Sequence, residues 1–214
     1  MIHLTDTEFH NLVDYIHQNF GIDLSKKRLL IEARMYSVLA KKNVSSFSEY
    51  FSLIQNDPVE LNVMLNKLTT NHTYFMREAS HFQFLKDVIL PKEQECNRQK
   101  NLRIWSAGCS TGEEAYTAIM LMKEFFGAAS GWDYRMLATD ISTHVLESAR
   151  AGVYPAESLK DLPPAWVARY FRKSGKMYLL SDEVKREVIF RRLNLMEPFP
   201  FHHQIGRASC RERV

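Results

Sequence analysis

Residues 102–114 read LRIWSAGCSTGEE, and this stretch decides the fold. Residues 102–107 have the composition of a buried strand, and residues 108–112 are small or polar, as in a tight turn. Apolar side chains then recur with a helical period over residues 113–126. The stretch is therefore predicted to be the first strand, turn and helix of a parallel sheet.

The downstream sequence continues this alternation. A second strand is predicted over residues 134–139, ended by Asp140, and a second helix over residues 143–151. Strands and helices that alternate at these lengths favour a doubly wound sheet with right-handed crossovers. Residues 177–180 and 188–190 are expected to pair as a small antiparallel ribbon inserted in this domain.

The sequence before residue 77 has a different, all-helical character. Residues 5–8 (TDTE) form a capping box that begins a first helix, and a second is expected to begin at residue 23 or 25. A later helix around Phe82 is expected to end at Pro91, because proline lacks the amide hydrogen that a helix interior uses. We therefore predict a helical domain over residues 1–76 and an α/β domain over residues 77–204.

Composition excludes several classes of protein. Of 214 residues, 45% are hydrophobic and 25% are charged, which is typical of a globular protein with an apolar core. No run of residues is long and apolar enough for a membrane span, and the N-terminus lacks the features of a signal peptide, so a cytoplasmic protein is expected. The three cysteines have no metal-binding spacing, and no metal site is predicted.

Residues 205–214 read IGRASCRERV and show neither an apolar period nor a helix-cap signal. This stretch is similar to the in-frame translation of a common short-read sequencing adapter. We interpret it as an artefactual tail, the alternative being a natural basic tail, and exclude it from fold reasoning. On this interpretation the natural gene continues past Gln204, and the α/β domain is truncated. The fragment itself is then expected to be unstable or inactive, although its parent is an enzyme.

The turn at residues 108–112 suggests a ligand site, although a packing turn would have the same spacing. Glu113 and Glu114 at the following helix N-terminus disfavour phosphate and suit a cationic ligand. Asp140 ends the next strand, where a carboxylate accepts hydrogen bonds from ribose hydroxyls, although a helix N-cap is the alternative. A nucleoside with an amine and no phosphate points to S-adenosyl-L-methionine.

Several segments resemble the chemotaxis-receptor methyltransferase (CheR) family. Residues 106–116 (SAGCSTGEEAY) match its SAGCSTGEEPY signature except at Ala115. Residues 70–78 (TNHTYFMRE) are similar to its TNxTxFFRE segment, with Met76 where a second Phe is usual. The similarity runs in order from the first helix to about Phe201.

The resemblance implies the α/β fold class, with a small all-helical N-terminal domain before a Rossmann-like methyltransferase domain that carries a small antiparallel β insertion. It implies methyl transfer from S-adenosyl-L-methionine to glutamate side chains on the cytoplasmic helices of methyl-accepting chemoreceptors. Arg77 is the candidate catalytic residue and the expected partner of the cofactor carboxylate. The other residues expected to bind the cofactor are Asn71, Thr73, Glu114, Asp140, Asn194 and Leu195.

Three basic residues of the second helix, Lys27, Arg34 and Lys41, recur every seven positions and so are expected on one face. A solvated surface would explain them, and so would a docking surface for acidic receptor helices. The chain is expected to be a monomer that does not bind nucleic acid. The alternative to an enzyme is a non-catalytic module that senses the cofactor or binds the receptor.

Overall fold

A computed structural model describes residues 2–127 and 131–199, together with the backbone of residues 208–210. The first domain contains four helices, α1 (Asp6–Phe20), α2 (Arg28–Lys42), α3 (Phe47–Asn56) and α4 (Pro58–Leu68). The predicted capping box is confirmed, because the Thr5 side chain accepts from the Glu8 backbone N–H and the Glu8 side chain accepts from the Thr5 N–H. Within the described residues, no helix combines the length and apolar character that a membrane span requires.

The second helix begins later than the sequence predicted. The Asp23 carboxylate accepts from the Ser25 backbone N–H at 2.8 Å, and the Lys27 N–H donates to the Leu24 carbonyl at 2.9 Å. These bonds make a turn, so Asp23 does not cap a helix and α2 starts at Arg28. The connection between α1 and α2 is therefore an ordered loop.

The helix that follows the first domain continues through Pro91, so the predicted end there is wrong. It consists of α5 (Ala79–Phe84), a π-helical turn (Leu85–Ile89) and α6 (Leu90–Cys96). The Leu90 N–H donates to the Leu85 carbonyl across the π turn, and Pro91 then occupies the first turn of α6. Proline is tolerated at this position, because the first turn of a helix that starts after the π turn does not use the backbone N–H that proline lacks.

The main sheet is parallel, as the sequence predicted. Its strands are β1 (Asn101–Ala107), β2 (Asp133–Asp140), β6 (Val188–Arg192) and β7 (Ala208–Cys210), in the order β6-β2-β1-β7. The helices α7 (Glu113–Phe126) and α8 (Thr143–Ala151) follow β1 and β2. Strand β7 pairs through its backbone with β1. It lies inside the segment interpreted as an adapter-derived tail, and that interpretation stays a prediction.

A second, antiparallel sheet has the order β3-β5-β4. It contains β3 (Val153–Pro155), β4 (Phe171–Ser174) and β5 (Met177–Leu180), with a 3₁₀ turn (Ala156–Leu159) and the helices α9 (Pro164–Tyr170) and α10 (Asp182–Lys185) beside them. The small antiparallel insertion is thus present, but the predicted pairing of β5 with residues 188–190 is wrong. Those residues belong to β6, whose buried Val188 and Phe190 join the core beside β2. Strand β5 instead forms a hairpin with β4 through Gly175.

Two apolar cores correspond to the two domains. The first is built by α1 to α4, and the second, which begins with the fully buried Phe75, lies between the main sheet and its helices. Ile141 follows β2 in the second domain, yet it packs in the first core. The predicted fold class is confirmed, whereas the domain boundary placed after residue 76 stays a prediction.

Gly112 provides a test of the turn that starts α7. Its φ is +92°, and an added Cβ would lie 3.1 Å from Ala149 Cβ, 3.1 Å from Tyr116 Cε2 and 3.2 Å from Phe190 Cζ. We expect Gly112→Ala to lower the free energy of unfolding by about 2–4 kcal/mol, because overpacking adds to backbone strain. Gly175→Ala is the control, since Gly175 has φ +60° but no described atom near an added Cβ. Equal losses in urea denaturation would contradict the packing argument.

Candidate cofactor site

The turn after β1 lies against the end of β2. Gly108 and Cys109 donate their backbone N–H groups to the Thr139 carbonyl at 2.8 and 2.9 Å. Gly108 and Ser110 have φ values of +77° and +50°, so the chain reverses within very few residues. The carboxyl ends of two parallel strands are thereby held together at one edge of the sheet, where doubly wound folds bind their ligands.

Asp140 is 2% exposed and connects the two loops at this edge. One carboxylate oxygen accepts from the Ser110 N–H at 2.9 Å and the other from the Ser142 N–H at 3.0 Å. The N-cap of α8 is Ser142, whose hydroxyl oxygen accepts from the Val145 N–H. Asp140 is therefore a bridge between loops, and the alternative of a simple helix cap does not describe it.

The two glutamates at the start of α7 point in different directions. Glu114 accepts from the Ser106 hydroxyl at 2.7 Å and lines a cavity. Glu113 is 3% exposed and accepts from the Thr111 hydroxyl at 2.6 Å. Burial raises the pKa of the Glu113 carboxyl above its ordinary value, and the Thr111 hydrogen bond opposes that shift. Glu114, the one of the two that was predicted to bind the cofactor, therefore lines the cavity, whereas Glu113 is buried beside it.

The linker between the domains is anchored by one aromatic residue. The Phe75 ring packs edge-on against Tyr154 and Phe171, and its backbone N–H donates to the Ser158 carbonyl at 3.1 Å. Two residues after this anchor, Arg77 donates to the His72 carbonyl at 2.6 Å. The residues on both sides of Phe75 are thus held in a fixed loop beside the sheet edge.

A first cavity of about 370 Å³ lies between this linker, the turn after β1 and the α1–α2 connection. Four of the predicted cofactor residues line it, namely Asn71, Thr73, Arg77 and Glu114. Asp23 and Lys27 line it as well. The wall therefore carries both carboxylates and cations, which suits a ligand with an ammonium and a carboxylate group.

A second cavity of about 150 Å³ lies on the other side of Gly108. The remaining three predicted residues, Asp140, Asn194 and Leu195, line it, together with Phe20 and Met196. Asn194 Nδ2 donates to the Asn19 carbonyl at 2.8 Å, and its Oδ1 accepts from the Met196 N–H at 3.1 Å. Asn194 thus fixes the loop after β6 against the end of α1. Apolar side chains beside a buried carboxylate suit a base and its ribose.

The two cavities share Gly108 and Ile22 as lining residues. An elongated ligand could therefore extend from one to the other, with an amino-acid end in the first and a nucleoside in the second. One orphaned atom supports this fit, because Asn71 Oδ1 is buried and has no hydrogen-bond partner among the described residues. The residues present fit S-adenosyl-L-methionine.

The sequence argument missed that the helical domain forms part of this site. Residues 20–24 and Lys27 of the α1–α2 connection line the two cavities, although no motif in that segment indicated it. Only the fold brings this loop to the sheet edge, more than 80 residues away along the chain. Lys27 itself was predicted to belong to the basic docking face.

The three basic residues of that face have different surroundings. Lys27 lines the first cavity, and Lys41 is exposed near the end of α2. Arg34 Nη1 donates to the carbonyls of Lys67, Leu68 and Thr69 at 3.0–3.2 Å. Arg34 therefore satisfies the carbonyls that α4 leaves open at its C-terminus. The docking role of the face stays a prediction.

The fold and the two cavities define an α/β domain that binds a nucleoside with an amino-acid tail, preceded by a helical domain. Residues 7–69 match the all-alpha domain of CheR methyltransferases, and residues 71–214 match their SAM-binding domain. The chain belongs to the CheR methyltransferase family, and its cofactor is S-adenosyl-L-methionine.

Individual relatives agree with the family match. The chain is 40% identical to the chemotaxis protein methyltransferase of Borreliella burgdorferi, with 98% of this chain and 77% of that protein aligned. It is 35% identical to chemotaxis protein methyltransferase 2 of Pseudomonas aeruginosa, over 91% and 70% of the two chains. It is 36% identical to the chemotaxis protein methyltransferase of Escherichia coli, over 90% and 68%.

The buried Glu113 makes a testable contribution to stability. Because its pKa is raised on folding, the folded state holds this proton more tightly, and stability falls as pH rises above the ordinary value of 4.5. We expect Glu113→Gln, which keeps an acceptor for Thr111, to gain stability relative to wild type as pH rises from 4 to 8. The control is Glu147→Gln on exposed α8 surface. A pH-independent difference in urea midpoint between Glu113→Gln and wild type would contradict this expectation.

Proposed function

We propose that this chain is a protein-glutamate O-methyltransferase, which transfers a methyl group from S-adenosyl-L-methionine to glutamate side chains on the cytoplasmic helices of chemoreceptors. It would act as a monomer in the cytoplasm, in chemotactic adaptation. The observation that carries the proposal is that all seven residues predicted to bind the cofactor line two cavities that meet at Gly108. Relatives described as chemotaxis protein methyltransferases support the same activity.

The first cavity would hold the amino-acid end of the cofactor. Glu114 would bind the ammonium group, and Arg77 would bind the carboxylate through its planar guanidinium. Asn71 would use its orphaned Oδ1, and Thr73 its hydroxyl, to fix the same end. Asn71, Thr73 and Arg77 come from a linker anchored by the buried Phe75, and Glu114 is held by the Ser106 hydroxyl. These groups are therefore positioned before the ligand arrives.

The second cavity would hold the nucleoside. Asp140 would accept hydrogen bonds from the ribose hydroxyls, with its carboxylate oriented by the backbone N–H groups of Ser110 and Ser142. Asn194 and Leu195 would border the adenine, with the Leu195 side chain against the ring face. The loop that carries them is fixed by the bond from Asn194 to Asn19.

The reaction needs little chemistry from the protein. When bound, the cofactor supplies an electrophilic methyl group on a positively charged sulfur. The substrate glutamate is ionised near pH 7, since its free pKa is about 4.3, so no general base is required. The role of the chain is then to hold the carboxylate oxygen in line with the methyl carbon and sulfur and to exclude water, an orientation effect of about 7–11 kcal/mol in favourable cases.

Calorimetry and methyl transfer together test the proposal. We expect the chain to bind S-adenosylhomocysteine, the demethylated product. Transfer of radiolabelled methyl groups to a receptor cytoplasmic fragment is measured beside it. Glu114→Gln and Asp140→Asn should each weaken binding about tenfold, because each removes a charge-assisted hydrogen bond. Glu147→Gln, on the exposed face of α8, is the matched control.

The outcomes separate the two classes of function. Binding without methyl transfer would favour the alternative, a non-catalytic module that senses the cofactor or binds the receptor. No binding of S-adenosylhomocysteine by the wild-type chain would contradict both the enzyme and the cofactor-sensing module, and would leave only a module that binds the receptor. Unchanged binding in Glu114→Gln and Asp140→Asn would show that the ligand lies elsewhere.

We further propose that exposed basic residues of α2 steer acidic receptor helices to the site. The most specific variant is Lys41→Glu, because reversing the charge at Arg34 would also remove its hydrogen bonds to the end of α4. We expect slower methylation of the receptor fragment at low salt, a smaller difference at high salt, and unchanged affinity for S-adenosylhomocysteine. Lys86→Glu, an equal charge change on another exposed helix, is the control. Equal methylation rates for the two variants would contradict steering by α2.

A further inference from the structure

The helical domain contacts the second domain immediately after Asp140. Asn66, near the end of α4, accepts from the Ser142 hydroxyl through Oδ1 at 2.8 Å. Its Nδ2 donates to the Thr143 hydroxyl at 3.4 Å. Between these contacts and the strand, Ile141 packs in the core of the helical domain. Three consecutive residues after Asp140 are therefore attached to the other domain.

Ser142 connects this contact to the Asp140 carboxylate. Its backbone N–H donates to Asp140 Oδ1 at 3.0 Å, and its hydroxyl oxygen accepts from the Val145 N–H at 3.4 Å. Ser142 is fully buried. The Ser142 hydroxyl has one hydrogen and donates it to Asn66. The bond to Asn66 therefore sets the orientation of the Ser142 side chain. A buried hydroxyl that loses its acceptor must reorient or remain unsatisfied.

The other side of Asp140 is fixed in the same way by the linker. Its Oδ2 accepts from the Ser110 N–H, and the Ser110 hydroxyl donates to the Asn71 carbonyl at 3.0 Å. A continuous series of hydrogen bonds thus runs from Asn66 through Ser142, Asp140 and Ser110 to Asn71. Asn66 lines neither cavity but begins this series.

We propose that Asn66 is a positioning residue for the cofactor, through which the helical domain sets the direction of the Asp140 carboxylate toward the ribose hydroxyls. This inference rests on the proposed role of Asp140. Asparagine suits the task, because its amide oxygen accepts from Ser142 while its amide nitrogen donates to Thr143. The all-helical domain is then a structural component of nucleoside recognition.

The experiment separates an effect on the ribose from a general loss of structure. The full chain and Asn66→Ala are titrated calorimetrically with S-adenosylhomocysteine and with its 2′,3′-dideoxyribose analogue. We expect Asn66→Ala to bind S-adenosylhomocysteine about fivefold more weakly, the effect of one hydrogen bond, and to bind the dideoxy analogue with wild-type affinity. If the role of Asn66 is merely structural, Asn66→Ala will lower the affinity for both ligands equally, and that result would overturn the proposal.

Further variants complete the design. Asn66→Asp keeps an acceptor for Ser142 and should retain most of the affinity. Asn62→Ala, one turn earlier on the same helix, is the matched control, because Asn62 Oδ1 has no hydrogen-bond partner among the described residues. If Asn66→Ala does not fold, Ser142→Ala removes the other end of the bond and must show the same ribose-dependent loss.

The failure of this inference can be told apart from failure of the proposed function. Absence of S-adenosylhomocysteine binding by the wild-type chain would contradict the cofactor assignment and remove the basis of the inference. Wild-type binding, with equal affinity in Asn66→Ala and Ser142→Ala, would overturn the role of Asn66 alone.

Discussion

The carboxylate of Asp140 is the interaction on which the site depends. It is almost completely buried and accepts one backbone N–H from each of the two loops at the sheet edge, those of Ser110 and Ser142. A buried charge is stable only when such donors surround it, and the same donors hold the loops in place. One side chain therefore connects the turn after β1 to the start of α8.

Residues of both domains line the two cavities. The α1–α2 connection lines both cavities, and the loop after β6 is hydrogen-bonded to the end of α1 through Asn194. Ile141 leaves its own domain to pack in the helical core. A cofactor that contacted both domains at once would gain from any contact that holds them together.

Two errors in the predicted secondary structure have different physical causes. Pro91 was expected to end a helix, but the π turn before it removes the need for its N–H. Residues 188–190 were assigned to the antiparallel insertion, but burial of Val188 and Phe190 beside β2 places them in the main sheet. The first is a local adjustment of the backbone, whereas the second was decided by a contact distant in sequence.

The sequence by itself determined the alternation of strand and helix, the turn at residues 108–112 and the residue types that suit a cationic nucleoside, because periodicity and spacing are local properties. Resemblance to a known family supplied the positions of Asn71 and Arg77. Only the tertiary structure decided that Glu113 is buried while Glu114 lines the cavity, and that Lys27 reaches the site. The burial of a side chain and the direction in which it points depend on which distant segments pack together. A local sequence pattern does not contain that information.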